Sequence, residues 1–353
     1  MVDVERRSPS ERLDNESWAR KAERELRLQV ESQSKELQEL RQLVGFYDAA
    51  RHEPVQVPKW RTATDKTADH VGTIMAQMTD WHLGEVVKPD EVLYLNAYNE
   101  SIANTRMKLW FEKVVTLPRV YVRGVHVEGI VIPATGDLFT GEIHDELTVN
   151  NYERILQTVL NAQEPILAGF DMLDREYDGH VEVDAVVGNH GRMAHKSVFK
   201  GRVYDNFEWL FWSVIRNRLK DRGSRVVINV STSMDMNVSV YGRNHLLTHG
   251  DQFKGGTGIS GAFAPLSLGS HRKGKRQSAA GQPMETMVIG HLHQLINIPG
   301  VIMGGTLKGM DEFAFGINVP PADAAQALWV TTPERAQTIW MPVYVQNRKN
   351  EGW

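Results

Sequence analysis

Val181-Glu-Val-Asp-Ala-Val-Val-Gly-Asn-His190 is the stretch whose reading decides the fold. Apolar side chains at Val181, Val183, Ala185 and Val187 alternate and then merge into an apolar run, the pattern of a largely buried strand. Gly188 ends it, and a residue without a Cβ lets the backbone turn sharply and approach a ligand. Asn189 then offers an amide oxygen, and His190 an imidazole able to serve as acid, base or metal ligand. Taken alone, Gly-Asn-His reads more readily as a turn with a surface histidine than as a site.

The pattern recurs, and recurrence reverses that reading. Strand-like runs at Thr73–Met78, Gly129–Ile132, Asn244–Leu247 and Thr286–Ile289 lead into Asp80-Trp-His82, Gly136-Asp137, His249-Gly-Asp251 and Gly290-His-Leu-His293. In an open α/β sheet the carboxyl ends of the strands share one edge, where ligands bind. Five such ends bring together Asp80, His82, Asp137, Asn189, His249, His291 and His293. Two carboxylates, one amide and four imidazoles suit two borderline divalent cations. The chain has no Cys, so thiolate metal sites, disulfides and a Cys nucleophile are excluded.

Outward from these ends, the 353 residues exceed one average domain but fit a single α/β sandwich with an appendage. Hydrophobic residues at 41% and charged residues at 24% supply an ordinary soluble core. A formal charge of −4 gives no global attraction to nucleic acid, so any such binding needs a local patch. The N-terminal residues lack an apolar signal core and no 18-residue apolar run exists, which assigns the chain to the cytoplasm with no membrane partner.

From Ser17 to about Ala50 apolar residues at Ala19, Ala22, Leu26, Val30, Leu37, Leu40 and Val44 follow helical spacing. Either a short coiled coil, giving a homo-oligomer through this helix, or a helix docked on the body satisfies the pattern. Residues 1–50 are therefore read as a helical arm, 51–69 as a linker containing Pro54 and Pro58, and 70–347 as the main domain. There, Asn96–Val115 reads as a helix. Asn150 and Glu153 open another through Phe170 with Ile155, Val159 and Leu160 inward, and Asp205 caps a third bearing Phe207, Phe211 and Ile215. Strands at Arg225–Val230, Asn237–Tyr241, Val301–Met303, Ala327–Thr331 and Thr338–Val345 complete an α/β (α+β) arrangement, a two-sheet β-sandwich flanked by helices.

The ordered blocks Asp-x-His, Gly-Asp, Gly-Asn-His, His-Gly and Gly-His-x-His, from Thr73 to Gly305, resemble the calcineurin-like metallophosphoesterase superfamily. Gly136-Asp-Leu-Phe139 is similar to its subgroup of DNA-repair exonucleases and their phage-encoded relatives. The resemblance implies two divalent metal ions, manganese first, with iron, zinc, magnesium and nickel as alternatives. One is implied on Asp80, His82 and His293, the other on Asn189, His249 and His291, with Asp137 shared. It also implies phosphoester hydrolysis by hydroxide from a metal-bridging water, with His190 acting as catalytic acid or phosphoryl donor. Two departures stand out: the usual acidic residue after Gly-Asn-His is Gly191, and the position three after Asp137 is Thr140. Glu142, His144 and Asp145 are candidate substitutes.

For substrate, Arg192 reads either as a phosphate contact or as plain surface, with His195 in the same position. Lys308, in Gly304-Gly-Thr-Leu-Lys-Gly309, can face the phosphate. Gly255–Gly261 reads as a flexible lid. His271-Arg-Lys-Gly-Lys-Arg276 is the densest basic cluster. It is read as a solvated loop or, more sharply, as a nucleic-acid contact through Arg272, Lys273, Lys275 and Arg276. The function expected is a phosphodiesterase or nuclease acting on nucleic acid or nucleotide. A phosphomonoesterase and a non-catalytic scaffold on the same fold are the alternatives.

Overall fold

A computed structural model of the protein describes residues 20–35, 37, 56, 58, 70–253, 261 and 263–353. The chain divides into two units, Met1–His52 and Glu53–Trp353. In the first, residues 20–35 are helical, and Leu26, Val30 and Leu37 are exposed. The rest of the helix expected over 17–50, including Leu40 and Val44, lies outside the described residues. So do most of the linker and nearly all of the glycine-rich segment at 255–261.

The second unit is built on two sheets. The first contains β1 (Val71–Ala76), β2 (His126–Ala134), β3 (Val181–Ala185) and β4 (Val227–Val230), all parallel. β10 (Ala325–Thr331) and β11 (Ile339–Tyr344) extend it antiparallel beyond β1, giving the order β11-β10-β1-β2-β3-β4. The second runs β5 (Asp235–Val240), β6 (Arg243–Thr248), β7 (Thr286–Ile289), β9 (Val301–Met303) and β8 (Ile296–Ile298). In it β6, β7 and β9 are parallel and the two edge strands antiparallel. β1 and β3 are buried at every position, whereas edge strand β5 alternates buried with exposed, as one wet face requires.

Between the sheets, Met75, Val131 and Trp329 interdigitate with Val238, Leu247, Val288 and Ile302. The outer face of the first sheet packs on α1 (Glu100–Tyr121), α4 (Gln163–Glu176) and α5 (Phe207–Asp221), with Trp110, Phe111, Phe170, Phe211 and Trp212 in the layer. α6 (Phe263–Ala279) covers the second sheet, Leu266 lying over Met287 and Met303.

Several boundaries differ from expectation for physical reasons. The helix expected from Asn150 to Phe170 is three pieces: α2 (Asp145–Asn150), α3 (Ile155–Asn161) and α4. Pro165 sits in the first turn of α4, where its missing N–H goes unneeded, and so a new helix begins there. Ile155 and Val159 are buried, but Leu160 is exposed. The cap of α5 is Asn206 rather than Asp205, accepting from the Glu208 N–H at 2.9 Å.

His271–Arg276 is helix, not loop. The buried face of α6 reads Leu266, Gly269, Lys273 and Gln277, so its helical period is carried mostly by residues that no apolar pattern reveals. Among the described residues no helix is long and apolar enough to cross a membrane.

Candidate metal centre

All five strand ends converge, as the shared sheet edge predicts. β1 ends at Ala76, so Asp80 and His82 stand in the turn beyond it, both in the left-handed region at φ 50. Asp137, His291 and His293 share that conformation, with φ of 55, 71 and 54. Five of the ten non-glycine residues at positive φ among the described residues are thus proposed ligands. Such backbone costs of order 1–3 kcal/mol each and persists only where the surroundings impose it.

The surroundings here are specific. Gln326 accepts from the Thr79 N–H at 2.9 Å and donates back to the Thr79 carbonyl at 3.0 Å. The Asp80 carbonyl takes the Thr306 hydroxyl at 2.7 Å. Trp81, fully buried between Asp80 and His82, meets Trp110 edge-on at 5.5 Å while its carbonyl accepts the Tyr98 hydroxyl at 2.6 Å.

Three groups of side chains place ligand atoms within 4.8 Å of one another: Asp80, His82 and His293; His82, Asp137 and His190; and Asp137, His249 and His291. Asn189 joins the last, its Oδ1 lying 3.1 Å from His249 Nε2. Asp137 is the one carboxylate that falls in two of these groups, with His82 and His190 in one and with His249 and His291 in the other.

The donor chemistry fits cations. Nδ1 of His249 lies 2.8 Å from the Thr135 carbonyl, which only accepts, so Nδ1 carries the proton. A neutral His249 would then turn its Nε2 lone pair toward Asn189 Oδ1 and toward Asp137 Oδ2 at 2.8 Å, three acceptors facing one another. Asp137 Oδ2 is itself buried without a hydrogen bond. Burial pulls the His249 imidazolium down, but the Asp137 carboxylate outweighs it and lifts the ring to about 10. A proton therefore takes the position that suits a metal ion.

His82 and His291 are already in the ligand form. Burial, then Lys308, holds His82 down to about 3, and burial, then His249, holds His291 down to about 4. Nδ1 of His82 faces Glu85 at 3.3 Å, leaving Nε2 toward His293 Nε2 at 3.0 Å. Burial works against the charge on Asp80 and Asp137, but the imidazoles around them hold both carboxyls below their ordinary value.

His190 is placed beside these groups, its ring 4.7 Å from that of His82. Its backbone N–H donates to Asp137 Oδ1 at 2.7 Å. Gly188 is needed for closeness rather than for a left-handed turn: a Cβ there would overlap Asp137 Oδ1. Gly191 is held by the same crowding, since a Cβ would overlap Asn206 Oδ1 and press on Glu208. The acidic residue expected at that position has no room.

Glu208, which sequence reading missed, bridges the two turns by accepting from the N–H groups of Leu138 and Gly188. Burial, then Asp137, pushes its carboxyl up to about 8. Its signal was a single carboxylate within the apolar stripe of α5. Glu85 was missed too, and three residues after His82 it carried no signal. Its Oε2 accepts the Thr140 hydroxyl at 2.7 Å, which accounts for Thr140 where a carboxylate was expected. Glu142 instead accepts from the Ile155 N–H and pairs with Arg154, a helix-start role. His144 lies with its ring 5.8 Å from His190.

The substrate contacts need correction. Lys308 is buried, 2.8 Å from Glu85 Oε1 and ion-paired with Asp311, so it faces carboxylates and not a phosphate. Lys273 is buried and lies 2.5 Å from Asp235, which also pairs with Arg276. Of that cluster only Arg272 and Lys275 are exposed without an ion pair among the described residues. Arg192 stands beside Asn189, with its guanidinium donating to the carbonyls of Asn189, Ala194 and His195.

No family model and no curated protein matches the sequence. Among solved structures the chain is similar to a novel archaeal phosphodiesterase, 10% identical with a TM-score of 0.32 over 76% of this chain and 99% of that one. Vps29 of Entamoeba histolytica complexed with zinc is also 10% identical, with a TM-score of 0.29 over 77% and 99%. A predicted phosphoesterase of Streptococcus pneumoniae is 9% identical, with a TM-score of 0.28 over 77% and 97%. The chemistry of the centre rests on its seven converging donors, not on these likenesses.

Proposed function

We propose that the second unit is a dinuclear metal-dependent phosphoesterase of the calcineurin-like kind, and within that class a phosphodiesterase or nuclease acting on nucleic acid or nucleotide. The observation that supports it is the convergence of seven N and O donors in two sets around Asp137. Asp80, His82 and His293 would hold one cation and Asn189, His249 and His291 the other, with Asp137 between them. Bound divalent ions supply Lewis acidity toward a phosphoryl oxygen and a water acidified toward neutral pH. Manganese suits this mixed imidazole and carboxylate set, with iron, zinc, magnesium and nickel as competitors.

The chain's own residues do the rest. The Thr140 carbonyl keeps the His190 proton on Nδ1, which leaves Nε2 to give or take a proton at a leaving oxygen. Burial pulls His190 down, so the ring is poised to release a proton once it has one. Glu208 fixes the two turns that bear Asp137 and Asn189. A panel of chromogenic mono- and diesters, cyclic nucleotides and oligonucleotides, run with each metal beside a chelated control, tests the reading. Metal-dependent diester turnover is expected. Good monoester turnover alone would favour the phosphomonoesterase, and two bound metals without any turnover would favour the scaffold.

The helix at residues 20–35 supports a second, separate assignment. Leu26, Val30 and Leu37 are exposed at helical spacing, and self-association through them gives a homo-oligomer. Light scattering of the chain lacking residues 1–50 should report a lower mass, and an unchanged mass would reject it.

A further inference from the structure

The segment between His190 and α5 contains neither helix nor strand, yet it is firmly built. Its ends are clasped by a bridge between Arg192 and Asn206, with the Met193 N–H donating to the Asp205 carbonyl at 3.1 Å. Inside, the Arg192 guanidinium gathers three carbonyls at 2.7 to 3.1 Å. Arg202 makes two 2.7 Å bonds to Asp251, two residues beyond His249. A compact loop with closed ends and its own internal packing is an Ω-loop, a form often used for function.

What this frame presents to solvent is unusual. Phe199 is 78% exposed and Met193 57%, with Val198 and Tyr204 also exposed. Exposed His195, Lys196 and Lys200 alternate with them, and residues 192–204 contain no Asp or Glu. A cavity of ≈ 200 Å³ opens between the loop and Asn189, lined by Met193, Ala194, Val198 and Arg202. Through Met193 and Val198, which are exposed and also line the cavity, the apolar surface of the loop reaches Asn189.

We propose that residues 192–204 are a platform for single-stranded nucleic acid. Phe199 stacks on a base while Lys196 and Lys200 meet backbone phosphates of a strand leading to the centre. This rests on the phosphodiesterase reading and gives it a substrate class. Stacking on an aromatic ring is tolerant of sequence, and interleaved cations match a backbone whose charges recur between bases. A paired duplex hides its base faces. An apolar protein partner would leave the exposed Lys196 and Lys200 beside Phe199 unused. α6 contributes less to such a contact, since Lys273 and Arg276 are held by Asp235 and only Arg272 and Lys275 of its basic run are exposed without an ion pair among the described residues.

The test is anisotropy of a short labelled single-stranded oligodeoxynucleotide, titrated with the full chain in chelator so that nothing is cleaved. Phe199→Ala should weaken binding roughly 5- to 150-fold, the scale of one lost stack, and Phe199→Trp should retain it. Lys196→Ala and Lys200→Ala should each flatten the salt dependence by about 0.7. Unfolding midpoints show whether each variant remains folded. Wild-type binding by Phe199→Ala, or no binding by the wild type, would overturn the platform, as would a lower oligomeric mass in Phe199→Ala, which marks the patch as a self-association surface. Wild-type turnover of a chromogenic diester without oligonucleotide binding removes the platform and leaves the metal reading standing. Binding without turnover of any ester does the reverse.

Discussion

Nδ1 of His190 lies 2.7 Å from the carbonyl oxygen of Thr140. That single contact sets the tautomer of the ring, because a carbonyl can only accept. It does the orienting that the missing acidic side chains at positions 140 and 191 would have done. The geometry around Gly191 makes the substitution irreversible by simple mutation: Gly191→Asp should destabilise the fold by crowding Asn206 and Glu208. A lower denaturant midpoint in that variant checks the crowding.

His190 touches the centre without belonging to either proposed metal set. His190→Gln should therefore keep its metal content by elemental analysis while turnover falls about 10²–10⁴-fold, the scale of a lost acid or base. Near-normal turnover in this variant would remove His190 from the chemistry.

The carboxylate proposed as shared makes a sharper distinction. Asp137→Asn should lower occupancy of both proposed sites, because Asp137 stands within reach of His82 on one side and of His249 and His291 on the other. His293→Ala should lower mainly the site of Asp80 and His82. Metal-to-protein ratios after dialysis against a fixed free-metal buffer compare the two. A full complement of two ions in Asp137→Asn would contradict the shared role.

The residues of this site were legible because each follows a strand, and strand ends are easy to read. β3 alternates apolar with acidic residues before the apolar run Ala185–Val187, and β7 is nearly all apolar, so the residues after them declared themselves. How Asp80 and His82 meet was not legible. The left-handed turn at Asp80 is flanked by bonds to Gln326 and Thr306, more than 200 positions away, and the His82 N–H donates to the Asp137 carbonyl at 3.1 Å. The same limit explains Lys308 and Lys273. A lone lysine beside a glycine or within a basic run looks solvated until the fold brings Glu85, Asp311 or Asp235 against it. α6 was missed because Gly269, Lys273 and Gln277 complete its buried face.

Lys308 offers a direct check on its buried role. Burial alone would raise the Glu85 carboxyl, but the Lys308 ammonium holds it well below its ordinary range. Lys308→Met leaves Glu85 and Asp311 buried without their cation and should cost about 3–5 kcal/mol in denaturant unfolding. Adding Glu85→Gln should return part of that loss by removing one stranded charge. A substrate contact would behave otherwise, raising KM with stability unchanged.

Asp235 turns the burial of Lys273 into a pH experiment. Burial opposes the charge on Asp235, but Lys273, then the Thr248 hydroxyl and Arg276, outweigh burial and hold the carboxyl below its ordinary value. A depressed folded pKa means that the unfolded chain takes up the proton first as pH falls. The stabilisation is thus whole above the unfolded value of about 3.9 and is lost as pH drops through the folded value. Asp235→Asn should lower the unfolding midpoint at neutral pH and flatten the acid limb of stability against pH. Thermal unfolding of wild type and variant across that range measures both. The gap between them should close toward the acid end, where wild-type Asp235 is itself protonated. A gap that stays constant would mean that the ion pair contributes nothing and that Lys273 is held by Thr248 and Phe253 instead.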